Sequence, residues 1–253
     1  MPLTPPCILP DWPAPANVLA LATTRQGGVS TPPWDTLNLG DHVGDEPSAV
    51  DQNRSALGQL LPPGSRIQWL RQVHGNVVVR AAGDGLPPSA DASWSDQPGM
   101  ACAVLTADCL PLLLCDRAGT AVAGVHAGWR GLLAGVIEQT VATIPAAPAS
   151  LLAWLGPAIG PTAFEVGSEV REAFCAAPGA NAREHACFRV SALAADHWVA
   201  DLYALARLRL YRLGIQAVYG GGYCTVRDSR RFYSYRRDGQ TGRMASLIQL
   251  KPD

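Results

Sequence analysis

A thiol, an imidazole and a guanidinium fall within 22 residues of one another in the stretch CAVLTADCLPLLLCDRAGTAVAGVHAGWRG, residues 102–131. Cys109 lies between two apolar runs, His126 closes a third, and Arg130 follows in AGWRG, which reads as a tight turn into a helix. A third donor, His74, stands in RQVHG at the end of another strand-like run. Two imidazoles and a thiolate suit a tetrahedral Zn²⁺ that keeps its fourth position open, the catalytic pattern among zinc sites. The same atoms allow a different chemistry. Cys109 beside His126 would be a thiolate–imidazolium pair, with Asp108 to orient an imidazole or serve as acid or base. A metal-bound thiolate attacks poorly, so the two readings exclude each other. Cys102 and Cys115, inside apolar runs, read as small hydrophobes. His42, His185 and His197 read as surface or packing residues.

A second set of residues suits an anion. Gly128–Gly131 opens a helix whose free N–H groups favour negative charge, with Arg130 in its first turn. Arg25 in a glycine turn, Asn38 in a polar loop and Arg54 on a short helix complete a phosphate or carboxylate clamp if they converge. Gln72, two residues before His74, joins this substrate-facing set. The segment RDSRRFYSYRR, 227–237, interleaves arginine with aromatics. With a net charge of −1, a substrate-facing loop fits it better than a nucleic-acid platform.

These residues need a scaffold, and 253 residues with 48% hydrophobic and 16% charged side chains supply one. Strands are expected at Val18–Ala22, Ile67–Val73, Asn76–Arg80, Cys102–Thr106, Pro111–Asp116, Thr120–His126, Leu151–Leu155, Ala217–Tyr219 and Ala245–Leu250. Helices are expected at Ala49–Leu60, Ala127–Ile144, Ser168–Ala176 and Ala200–Leu213, with a loop over Ala81–Gln97. The intermixing gives a single α/β (α+β) domain with a mixed sheet flanked by helices. An irregular proline-rich arm covers 1–16 and one catalytic domain covers 17–253.

Composition narrows the chemistry further. The only lysine is Lys251, so a P-loop lysine and a Schiff-base lysine are both excluded from the body of the chain. Any bound phosphate must be held by arginine, which offers bidentate geometry. Seven cysteines without a CxxC pair point to free thiols in a reducing cytoplasm. The first residues lack the pattern of a signal peptide, and no apolar run is long enough to span a bilayer. Neither nucleic acid nor membrane is an expected partner.

The motifs QVHGNVV, DASWSDQPGMACAVLTADCLPLLL and AGVHAGWRGLLAGV together resemble the YfiH-like, laccase-domain family of purine nucleoside phosphorylases. TRQGGVS, LNLG, DQNR, GPAIGP and RDSRRFYSYRRDGQTGR extend the resemblance over nearly the whole chain. It implies a topology similar to a bacterial toxin-deamidase catalytic domain and a zinc ion held by His74, Cys109 and His126. It also implies phosphorolysis of adenosine, inosine, guanosine and methylthioadenosine to free base and ribose 1-phosphate, with adenosine deamination alongside. Such proteins were formerly described as polyphenol oxidases. A multicopper oxidase needs about ten histidines for its copper sites. Five histidines without an HxH pair set that reading aside, although one copper at the zinc site is chemically compatible. Phosphorolysis places Arg130, Arg54 and Asn38 on phosphate, with Asp108 as a proton carrier. Two alternatives remain: a cysteine hydrolase or amidase on Cys109–His126, editing a cell-wall precursor, and a zinc-stabilised purine-binding module without turnover.

Overall fold

Strands whose every residue is apolar must be covered on both faces, and that requirement sets this architecture. The computed structural model describes residues 5–83, 85–192 and 194–252, so the first four residues of the proline-rich arm lie outside it. Where one mixed sheet was expected, two large ones stack face to face. The first has five strands in the order β1 (Cys7–Ile8), β2 (Val18–Thr23), β14 (Met244–Leu250), β6 (Met100–Thr106) and β3 (Arg66–Gln68). The second has six: β13 (Ala217–Gly220), β9 (Leu151–Leu155), β7 (Leu110–Asp116), β8 (Val122–Ala127), β5 (Ala92–Ser95) and β4 (Val78–Arg80). Both are mixed: β3–β6, β4–β5 and β9–β13 run parallel, and the other neighbours antiparallel.

Alternation along β7 shows how the layers form. Leu113 and Cys115 point into the space between the sheets, against Cys102, Met100, Ile248 and Trp154. Leu110, Leu112 and Leu114 point the other way, onto the helices α3 (Val136–Thr143) and α6 (Leu202–Arg212). The outer face of the five-stranded sheet is covered by α1 (Pro47–Gly58) together with Leu37 and Leu39. The order of layers is therefore helix, sheet, sheet, helices. Each fully buried leucine in it contributes about 1.5–3 kcal/mol. Cys102 and Cys115 pack here as hydrocarbon, and burial pushes both thiols up to about 12.

Several elements differ from the sequence reading. The stretch Ala81–Gln97 contains β5, a strand inside the six-stranded sheet rather than a loop. Its four residues, ASWS, are too short and too polar to show a period. The helix expected over Ala127–Ile144 is broken into α2 (Trp129–Leu133) and α3, because Gly135 takes a left-handed φ of 86°. A small antiparallel sheet of β10 (Glu165–Gly167), β12 (His197–Ala200) and β11 (Phe188–Val190) was not anticipated. It flanks α4 (Ser168–Ala176) and α5 (Ala182–Ala186).

Candidate metal centre and its cleft

The chain passes from the five-stranded to the six-stranded sheet between β3 and β4, and again between β6 and β7. Each crossing carries one donor: His74 lies on the first and Cys109 on the second. His126 is the penultimate residue of β8 and pairs with Pro111 at the start of β7. Both crossings therefore meet the end of β8 at one end of the sandwich. The ligand atoms of His74, Cys109 and His126 all lie within 4.8 Å of one another. Cys109 Sγ is 3.9 Å from His74 Nε2.

Local backbone geometry explains the convergence. Asp108 takes a φ of 92° and His74 a φ of 60°, conformations that non-glycine residues adopt only when their surroundings hold them. Asp108 is held through both carboxylate oxygens. Oδ1 accepts from the Thr225 hydroxyl (2.6 Å) and Oδ2 from the Arg236 backbone N–H (2.6 Å). The loop bearing His74 is tied to β6 by Gln72, whose amide donates to the Leu105 carbonyl (2.8 Å) and accepts from the Leu105 N–H (2.7 Å). Gly128 makes the third approach. A Cβ there would lie 2.9 Å from Cys109 Sγ and 3.4 Å from His74 Cδ2, so only glycine leaves the donors this close.

Charge at the centre follows from burial and partners. Burial opposes ionisation of Cys109, but the adjacent His126 imidazole and a hydrogen bond from His74 outweigh it and hold the thiol down at about 6. Burial likewise opposes charge on His126, while the Cys109 sulfur and the Asp91 carboxylate raise it to about 9. His126 Nδ1 lies 2.8 Å from Asp91 Oδ1. Two nitrogens and a sulfur of borderline softness, clustered and partly open to solvent at His74, fit zinc or copper.

The centre forms one wall of a cleft of about 490 Å³, within the ~300–1,000 Å³ range of small-molecule sites. Of the residues expected to bind substrate, Gln72, Asp108 and Arg130 line it, with Cys109 and His126. Arg25, Asn38 and Arg54 do not line it; they fasten loops elsewhere. Arg25 bonds to the Asp35 and Ser229 carbonyls. The buried Asn38 amide bridges Gly40, Asp45 and Arg243. Arg54 bonds to the Leu39 carbonyl, pairs with Asp41 and lies over the Trp69 ring. The cleft's other basic side chains are Arg236, Arg243 and His42, joined by Trp129, Phe164 and Tyr235. The 227–237 segment thus faces the cleft through Tyr235 and Arg236. His42 reaches it too, rather than resting on plain surface. Sequence reasoning passed over Arg243 and Asp91 as well, since a single arginine or aspartate in a polar stretch carries no local signal.

Fold and site define an α/β domain built on two large stacked sheets, with a metal-competent cleft where the chain crosses between them. The chain belongs to the family described as multi-copper polyphenol oxidoreductase laccase, whose pattern matches residues 19–251, and which includes the YfiH proteins. A purine nucleoside phosphorylase of Pseudomonas aeruginosa is 56% identical, covering 96% of this chain and 98% of its own. The purine nucleoside phosphorylase YfiH of Escherichia coli is 52% identical, with the same two coverages. A crystal structure from Neisseria meningitidis superposes with a TM-score of 0.92 at 52% identity, covering 97% of this chain and 99% of that one.

Proposed function

We propose that this protein is a metal-dependent purine nucleoside phosphorylase acting on adenosine, inosine, guanosine and methylthioadenosine, with zinc at His74, Cys109 and His126. The observation that carries the reading is the three-donor cluster opening into a cleft that also presents Arg130, Arg236 and Arg243. The relatives named as purine nucleoside phosphorylases support it.

Cleaving the C1′–N9 bond leaves positive charge on the ribose and negative charge on the departing purine. Phosphate must approach C1′ from the face opposite the base, and guanidinium groups hold it there. The Arg130 side chain is exposed at the cleft and, among the described residues, makes only a stacking contact, with Trp129 at 4.4 Å, which leaves its N–H groups for phosphate. Arg243 is more deeply set, its guanidinium donating to the Thr241 and Gly242 carbonyls. The aromatic faces of Trp129, Phe164 and Tyr235 suit a purine. Asp108, with both oxygens engaged, holds Arg236 and its neighbour Tyr235 at the cleft. The metal, when bound, supplies Lewis acidity toward the base or a water. Adenosine deamination needs water at purine C6, and the solvent-exposed His74 side of the centre admits it. Seven free thiols fit work in the cytoplasm.

Purified protein given adenosine and phosphate should release adenine and ribose 1-phosphate. Turnover indifferent to phosphate, without ammonia release, overturns the proposal. A second reading has a specific observation behind it: the Cys109 thiol, held at about 6 chiefly by the adjacent His126 imidazole and lying 3.9 Å from His74 Nε2, is also suited to a hydrolase nucleophile paired with His126. Iodoacetamide separates the two. A metal ligand is shielded until chelation, whereas a free nucleophile labels at once in metal-replete protein.

A further inference from the structure

The side chain of Asp91 is fully buried at the end of the sandwich and accepts four N–H groups. Oδ1 takes the His126 ring (2.8 Å) and the His74 backbone N–H (2.9 Å). Oδ2 takes the backbone N–H groups of Gly75 (2.7 Å) and Val73 (3.3 Å). Its own backbone carbonyl accepts from His126 N–H (2.7 Å), and its N–H donates to the Val77 carbonyl (3.0 Å). A buried carboxylate is costly unless its lone pairs are filled, and here all its partners belong to the two histidine ligands or their immediate neighbours.

We propose that Asp91 is the positioning residue for both imidazoles of the centre, setting His126 through its ring and His74 through its loop. The proposal rests on reading the cleft as a metal centre. An ionised carboxylate only accepts, so His126 Nδ1 must carry the proton, and Nε2 is left as its ligand atom. His74 has no side-chain contact with Asp91. Its φ of 60° persists because three successive N–H groups, from Val73 to Gly75, converge on one carboxylate. A single side chain therefore orders two of the three donors by different routes.

The two routes separate in an amide. Asparagine keeps one acceptor oxygen, which can serve either the His126/His74 pair or the Val73/Gly75 pair. With the oxygen toward the histidines, its NH₂ opposes two loop N–H groups. The penalty of Asp91→Asn thus falls on the His74 arm, while His126 keeps its partner.

A double-mutant cycle on the full chain tests this, using wild type, Asp91→Asn, His74→Gly and the combination, with Co²⁺ and Zn²⁺ affinity read by chelator competition. Wild type and Asp91→Asn should both show the thiolate-to-cobalt charge-transfer band. Asp91→Asn should weaken binding about 10–100-fold. On the His74→Gly background, the same change should weaken it less than about threefold, because the ligand it positions is gone. Equal penalties on both backgrounds would show a merely structural role and overturn the inference, as would unaltered affinity in Asp91→Asn. Failure of wild type to bind either metal instead removes the metal-centre reading. If Asp91→Asn does not fold, ¹⁵N spectra of zinc-loaded wild type decide. His126 protonated at Nδ1 supports the proposal, and His126 protonated at Nε2 overturns it.

Discussion

Gly128 has an ordinary φ of −60°, so its importance is one of space. Because a Cβ would stand 2.9 Å from the Cys109 sulfur, Gly128→Ala should displace that sulfur and lower zinc affinity about tenfold or more, in the range seen when a ligand loses its support. Stability should fall by about 1–3 kcal/mol, since the added methyl overpacks a buried position. Chelator competition and urea unfolding check the two halves, and unchanged affinity would remove the close approach as a constraint. At this scale, donor types were legible. Cys109 stands directly before β7 and His126 is the buried penultimate residue of β8, whereas His74 lies in the loop between β3 and β4, because the strand expected over Ile67–Val73 ends at Gln68. Asp91 and Arg243 were not legible as site residues, because their role depends on which distant segments the fold places beside them, whereas Arg236 was legible only as part of the substrate-facing 227–237 segment. Arg25, Asn38 and Arg54 show the same limit in reverse. Their residue types suit phosphate, yet carbonyls and carboxylates of neighbouring loops engage them.

Elements with one strong periodicity were legible, and those defined by pairing were not. β7, β8 and α6 are long apolar or amphipathic runs, whereas β5 and the three-stranded sheet are short and exist through their partners. The β7–β8 turn offers a test. Asp116, at the end of β7, accepts from Thr120 N–H (2.7 Å), the Thr120 hydroxyl (2.8 Å) and Ala121 N–H (2.9 Å). Burial pushes its carboxyl up, but these donors win and hold it below the ordinary value of 3.8. With the folded value depressed, the stabilisation is complete above that pH and is lost as acid titrates the group through its folded value. Asp116→Asn should cost about 1–3 kcal/mol at pH 7. At a second, acidic pH below 3.8 the gap from wild type should narrow, because acid there titrates the group through its depressed folded value. Urea titrations at both pH values read this, and a gap independent of pH would assign the cost to shape rather than charge.

For the molecule as a whole, α/β character and a helix-flanked core were readable from the mixture of periods. The division into two stacked sheets was not. A fully apolar strand says that both faces are covered, without saying whether helix or sheet covers each. Leu113, fully buried between the sheets, tests the stacking. Leu113→Ala should cost about 2–5 kcal/mol and lower Tm by roughly 10 °C for a chain of this size. A loss below about 1 kcal/mol would mean that the sheets settle together around the gap. One consequence concerns synthesis. β14 pairs with β2 on one side and β6 on the other, yet it leaves the ribosome more than a hundred residues after either. Until residue 250 emerges, β2 and β6 have an empty slot between them, and two apolar strand edges wait uncovered in the nascent chain. Production in the cell should therefore depend on chaperone supply more steeply than equilibrium stability suggests.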